Sequence, residues 1–164
     1  MKPAFQRKLE QFLRSAGLTR VHPESVEPTA RAAVEALAGL PHYEQIWAGD
    51  LETTVQIVVV ASGERVPGVE FARRAHLLRE RAASLSQRVK GEVQVLQLAL
   101  YERKVPADER EFVLEKGRIA ARWPLARGRV ATWIVSLSEP ALYAAPFRGW
   151  PQELGADQLR ALLA

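Results

Sequence analysis

The sequence predicts one domain of the α/β to α+β class: two N-terminal helices, a β-β-α-β stretch with a long central helix, an antiparallel C-terminal meander and a short final helix, built around a mixed sheet. Three observations carry this. Residues 57–60, Ile-Val-Val-Val, form the unbroken β-branched run expected of a central strand buried on both faces. Phe71, Ala75, Leu78, Ala82, Leu85 and Val89 recur in steps of four and three, the period of a helix with one apolar side. A second apolar run at 93–101 follows Gly91, completing a β-α-β unit with parallel flanking strands and a right-handed crossover.

Phe5, Leu9, Phe12, Leu13 and Ala16 share one helical face, and Gly17 stands where a left-handed C-terminal cap belongs, so residues 3–16 are expected to form the first helix. The alanine-rich segment 28–38, opened by Pro28 and followed by Gly39 and Pro41, is the second. Residues 43–47 and 53–61 read as antiparallel strands joined by a turn at Ala48-Gly49-Asp50. Downstream of Pro106, residues 111–115, 118–125 and 129–137 alternate in polarity between Lys116-Gly117 and Arg127-Gly128, which predicts the meander. Pro124, beside Trp123, removes a backbone donor and places the middle strand at an edge or end. Pro106-Ala107-Asp108-Glu109 also has the form of a helix start, with proline first and acids in the first turn, so 106–116 is compatible with strand or helix. Tyr143, Phe147 and Trp150, set among prolines and glycine, predict a cover laid across the body before a short helix near 156–163. The expected organisation is a single domain over 1–164: a helical pair at 1–40, a sheet core at 41–138, and the cover with its terminal helix at 139–164. No repeat or flexible linker divides it.

A chain of 164 residues, 48% hydrophobic and 26% charged, is long enough to bury its own core. The absence of cysteine excludes disulfides, thiolate chemistry and the usual structural zinc sites. The apolar run at 57–61 is far shorter than the roughly 20 residues needed to cross a bilayer, and 3–16 lacks the apolar stretch of a secretory signal. A cytoplasmic protein without membrane contact is the expectation. A net charge of +4 permits an acidic partner but specifies no site. Arginine outnumbers lysine, asparagine is absent and Met1 is the only methionine, a composition that fits a GC-rich or a heat-adapted source.

The search for chemistry yields no catalytic set, no metal site and no cofactor. Neither standard glycine pattern of a phosphate loop occurs; the nearest candidate is Ser62, Gly63, Glu64 and Arg65, in the 62–68 loop between a central strand and the long helix, where ligands collect in open α/β sheets. His22, His42 and His76 lack metal-ligand spacing, and His42, beside Tyr43 and Glu44, is the one placed where a general base could sit. No serine has the frame of a nucleophile elbow. A nuclease-like core would need an acid on one strand and an acid or Gln followed two residues later by Lys on the next. Asp50 and Glu52 precede the central strand and Gln56 lies in it, yet no lysine occurs between Lys8 and Lys90. A carboxylate metal site drawn from Glu44, Asp50 and Glu52 has no further support, since turns beside strands commonly carry such residues. On the long helix, Arg74, Arg81 and Arg88 recur every seven residues as a cationic ridge, with Arg103, Arg127 and Arg129 elsewhere, and Trp150 is the best exposed aromatic candidate.

The leading expectation is a non-catalytic domain acting through contacts with a protein partner or with itself, by a sheet edge or the aromatic tail. The alternative is a nucleic-acid-binding module using the arginine ridge. A small enzyme with a site around His42, Glu44, Asp50 and the 62–68 loop is a second alternative.

Overall fold

The computed structural model describes residues 2–51, 54–120 and 127–164. Its helices are α1 (Pro3–Ser15), α2 (Pro28–Ala36), α3 (Gly68–Val89), α4 (Ala107–Lys116) and α5 (Ala156–Ala161). The strands are β1 (Thr19–Arg20), β2 (Gln45–Leu51), β3 (Thr54–Ser62), β4 (Glu92–Tyr101), β5 (Arg118–Ala120), β6 (Gly128–Ser136) and β7 (Ala141–Tyr143). They form one open mixed sheet in the order β1-β2-β3-β4-β6-β5, with β7 also on β6. The centre, β3-β4-β6, is parallel, and every other pairing is antiparallel. Since β4 runs along one whole side of β6, the short strands β5 and β7 follow one another along its other side.

Alternation of side chains along the central strands divides the core between the two faces of the sheet. Val58, Val60, Leu96 and Leu98 meet Phe5, Leu9 and Leu13 of α1, together with Trp47 and Trp133. Ile57, Val59, Val93 and Val95 meet Ala75, Leu78, Ala82 and Leu85 of α3 and the alanines of α2. A third cluster closes the carboxyl end of the parallel strands, where Phe71, Tyr101 and Ile134 pack with Val113 of α4. Leu78 has no exposed surface, so truncating it to alanine is expected to destabilise the fold by about 2–5 kcal/mol.

Two local readings are corrected. Ala48-Gly49-Asp50 lies inside β2 rather than in a turn. A Cβ on Gly49 would stand 2.6 Å from the Gly17 carbonyl oxygen and 2.8 Å from Leu18 Cδ2, so glycine there answers a close approach by the α1–β1 connection. Residues 111–115 belong to α4, not to a strand. The helix-start signal at 106–109 wins because the α4 path seats Val113 in the carboxyl-end core; the antiparallel C-terminal strands are instead β5, β6 and β7. Glu52, Trp123 and Pro124 lie outside the described residues. α3 ends with Lys90 in the left-handed region at φ 54°, one residue before Gly91. No described helix is long and apolar enough to cross a membrane.

Candidate functional site

Three of the four loop residues proposed for a ligand, Ser62, Gly63 and Glu64, are engaged within the fold. A Glu64 Oε1 atom accepts the backbone N–H groups of Glu102 (3.1 Å) and Arg103 (2.8 Å), tying the loop to the end of β4. Ser62 Oγ donates to the other Glu64 oxygen at 3.4 Å. Gly63 donates its N–H to the Leu100 carbonyl at 2.8 Å and lies against the Tyr101 ring with no room for a Cβ. Arg65 is exposed. The α3 N-terminus, where an anion would sit, already holds a carboxylate from α4: Glu109 Oε1 accepts the Gly68 N–H at 3.4 Å, and its second oxygen accepts the Tyr101 hydroxyl. Burial pushes the Glu109 carboxyl above its ordinary range, and the Gly68 N–H opposes that shift.

The arginine ridge is turned onto the protein itself. Arg74 is 2% exposed, donates from Nε to Glu70 Oε1 at 3.4 Å, and lies 5.0 Å from the centroid of the Tyr43 ring. A hydrogen bond from Arg73, assisted by Arg74, holds the Glu70 carboxyl below the usual carboxylate range. Arg81 donates to the carbonyl oxygens of Ala36 (2.8 Å) and Ala38 (2.6 Å), satisfying acceptors left open at the end of α2. Arg88 forms a 2.5 Å ion pair with Glu35 of α2. Thus the seven-residue repeat is a docking line for Tyr43 and α2. Arg129 is likewise paired, to Glu92 at 2.6 Å.

Beside Arg74 lies a polar network across the sheet that sequence reasoning missed. Tyr43 donates its hydroxyl to Gln97 Oε1 at 3.0 Å, and Gln97 Nε2 donates to Thr132 Oγ1 at 3.0 Å. Its signal was Gln97 itself, polar in the middle of an apolar run and fully buried. Burial pushes the Tyr43 hydroxyl up to about 12, against the opposing charge of Arg74. These hydrogen bonds join Tyr43 to β4 and β4 to β6, whereas the buried Nη1 of the neighbouring Arg74 has no hydrogen-bond partner among the described residues.

The proposed enzyme set does not converge. His42 is exposed with φ 71°, and His22 and His76 are exposed on other elements. Glu44 donates its backbone N–H to Val60 near the carboxyl end of β3, at 2.7 Å. Asp50 lies five residues beyond Gln45 along β2, roughly 17 Å away at the rise of an extended chain. Among the described residues, no cluster of His, Asp and Glu could hold a metal ion.

Several concave surfaces form among the described residues, and two of them involve the aromatic tail or the carboxyl end of the parallel strands. One, of about 510 Å³, borders Trp133, Phe147 and Trp150. There Phe147 stacks on Trp150 at 5.5 Å and Trp150 leans on Trp133 at 6.0 Å, so the rings cover one another and Trp150 is half-buried rather than exposed. The other, of about 420 Å³, runs between the first turn of α3 and α4 at the carboxyl end of the parallel strands. Pro67, Val69, Ala72 and Phe112 give it an apolar lining, and Asp108 and Glu109 add carboxylates. Comparison with family models, with curated proteins and with solved structures gives no match.

Proposed function

We propose that this chain is a non-catalytic binding domain and that a protein partner docks in the groove between α3 and α4. The observation that carries the reading is Val69, an aliphatic side chain 77% exposed on the wall of an apolar groove that also holds the half-buried Phe112 and Ala72. The other surfaces considered give less support. Sheet edges end in β1, β5 and β7, which are two or three residues long, the length that discourages edge-to-edge pairing. The aromatic tail spends its rings on Trp133.

The groove selects its occupant by charge. Asp108 and Glu109 line it, and the exposed Glu111 and Glu115 continue along α4. A segment of a separate protein that presents an apolar side chain flanked by Lys or Arg satisfies both parts. Titrating an amphipathic Leu/Lys peptide into isotope-labelled protein is expected to shift the amide signals of Val69, Ala72 and Phe112 and to saturate. Val69→Asp is expected to weaken that binding about tenfold, equal to roughly 1.4 kcal/mol. An absence of shifts at millimolar peptide overturns the reading. So does concentration-dependent dimerisation that Val69→Asp abolishes, because the occupant would then be a second copy.

A further inference from the structure

The net charge of this protein is not spread over its surface. Residues 2–20 contain five of the 23 basic side chains, Lys2, Arg7, Lys8, Arg14 and Arg20, and one of the 19 acidic ones, Glu10. That segment therefore carries the whole net charge of +4, and the remainder of the chain is neutral. It folds as α1 and β1, and all five cations are exposed, although Lys2 and Lys8 reach the Leu137 and Leu162 carbonyls at 3.4 and 3.5 Å and Arg14 lies 5.7 Å from the centroid of the Trp47 ring. Glu10 is half-buried: it accepts from Gln6 (3.3 Å) and Gln45 (3.4 Å), lies 3.9 Å from Arg20, and borders the same shallow surface as Arg7 and Arg14, so it is the one carboxylate on this face.

Helical geometry arranges these charges as a face. At 100° per residue, Arg7, Gln11 and Arg14 project opposite the stripe of Phe5, Leu9 and Leu13, which is buried on the sheet. Lys8 lies to one side of the line, and Arg20 follows on β1. The cations elsewhere that sequence reasoning favoured, Arg74, Arg81 and Arg88, are spent on Glu70, the α2 carbonyls and Glu35. Arg7 has no hydrogen-bond or ion-pair partner among the described residues.

We infer that the α1–β1 face docks on the phosphate backbone of a duplex nucleic acid. A large apolar anchor is missing from it, because Phe5, Leu9 and Leu13 of α1 are buried in the core and Phe12 is half-buried, leaving only the small Pro3 and Ala4 exposed; a protein interface would need a large anchor at its centre. For the same reason the helix has no free apolar side to sink into a bilayer and no ring on which unpaired bases could stack. What remains is a strip of positive charge, with Arg7 and Arg14 on the outer line of α1 and Lys8 beside it. From Lys2 to Arg14 the helix runs about 18 Å, beside which a duplex sets about ten phosphate charges.

The test is fluorescence anisotropy with a mixed-sequence duplex of about 20 base pairs over a salt series. Four phosphate contacts give an expected log–log slope of about −3.6, and a single strand of equal length is expected to bind more weakly. Arg7→Glu with Lys8→Glu, both exposed and in the amino-terminal half of α1, is expected to weaken binding at least tenfold and to reduce the slope by about two, with an unchanged circular dichroism melt. Lys116→Glu with Arg127→Glu, both exposed and on other elements, makes the same change in net charge elsewhere and is expected to leave the affinity within about threefold. The inference is overturned by a slope near zero, by equal losses in the two double variants, or by a single strand that binds more tightly than the duplex. It is also overturned if vesicles with 30% anionic lipid bind more tightly than the duplex and lose that binding in the Arg7→Glu, Lys8→Glu protein. None of these outcomes depends on the α3–α4 groove.

Discussion

Gln97 joins three elements with one amide: its oxygen accepts from Tyr43, and its nitrogen donates to Thr132 on β6 and to the Phe71 carbonyl on α3 at 3.4 Å. Removing the Tyr43 hydroxyl strands that buried oxygen. Tyr43→Phe is therefore expected to lose about 1–2 kcal/mol, lowering the melting temperature by roughly 2–8 °C for a domain of this size. The same residue gives a pH signature. Its folded-state pKa of about 12 lies above the ordinary 10.0, so the unfolded chain loses the proton first. The contribution is fully present below pH 10 and disappears as the pH rises towards 12. Urea midpoints of the wild type are expected to fall more steeply over that interval than those of Tyr43→Phe; coincident slopes would show that the hydroxyl is not buried as described. At this scale the sequence reveals the position but not the partners. A buried glutamine in an apolar strand, here Gln97 with Gln94 before it, is visible by inspection, whereas its pairing depends on which strand lies alongside, and β4 meets β6 across more than thirty residues of chain.

At the scale of elements, α2 depends on α3 through two arginines of unequal value. Arg81 satisfies two carbonyl oxygens at the end of α2, and its loss leaves them without a protein partner. The Arg88–Glu35 pair is short, but its side chains are 58% and 57% exposed, where water screens an ion pair to about 0–1 kcal/mol. Arg81→Ala is accordingly expected to destabilise the fold by about 1.5–3 kcal/mol and to speed amide exchange in α2, while Arg88→Ala changes stability by less than about 1 kcal/mol. Equal effects would mean that charge rather than carbonyl capping holds α2. The elements with long internal repetition, α1, α3 and the buried β3, are legible from sequence because one physical cause, burial of a single periodic set, fixes each of them. Gly49 and residues 111–115 mislead for the opposite reason. Glycine serves turns and close approaches alike, and Gly49 is fixed by Gly17, thirty-two residues away. Alternation in 111–115 is too brief to outweigh a helix start whose payoff is the burial of Val113.

For the whole molecule, the three-layer arrangement separates the two proposed surfaces. The basic face belongs to α1, on one side of the sheet, and the acidic groove belongs to α3 and α4, on the other side at the carboxyl end. The periodicity of Arg74, Arg81 and Arg88 was legible as a pattern, but its direction was not, because a border arginine serves solvent or a neighbouring helix equally well until α2 is placed. The groove was legible only in part. Its wall begins at the loop expected to hold a ligand, but its other half comes from α4, the segment whose strand or helix character the sequence left unresolved.

Separate faces should bind independently, and simultaneous occupancy measures this most directly. Protein saturated with the duplex at low salt is titrated with the Leu/Lys peptide, following the Val69, Ala72 and Phe112 amides and the anisotropy of the labelled duplex together. The expected result is peptide uptake with a Kd within about twofold of that without duplex, and no fall in anisotropy. Displacement of the duplex by peptide beyond the loss produced by a Lys peptide without leucine, or failure of the groove amides to respond, would contradict a domain with two independent binding faces.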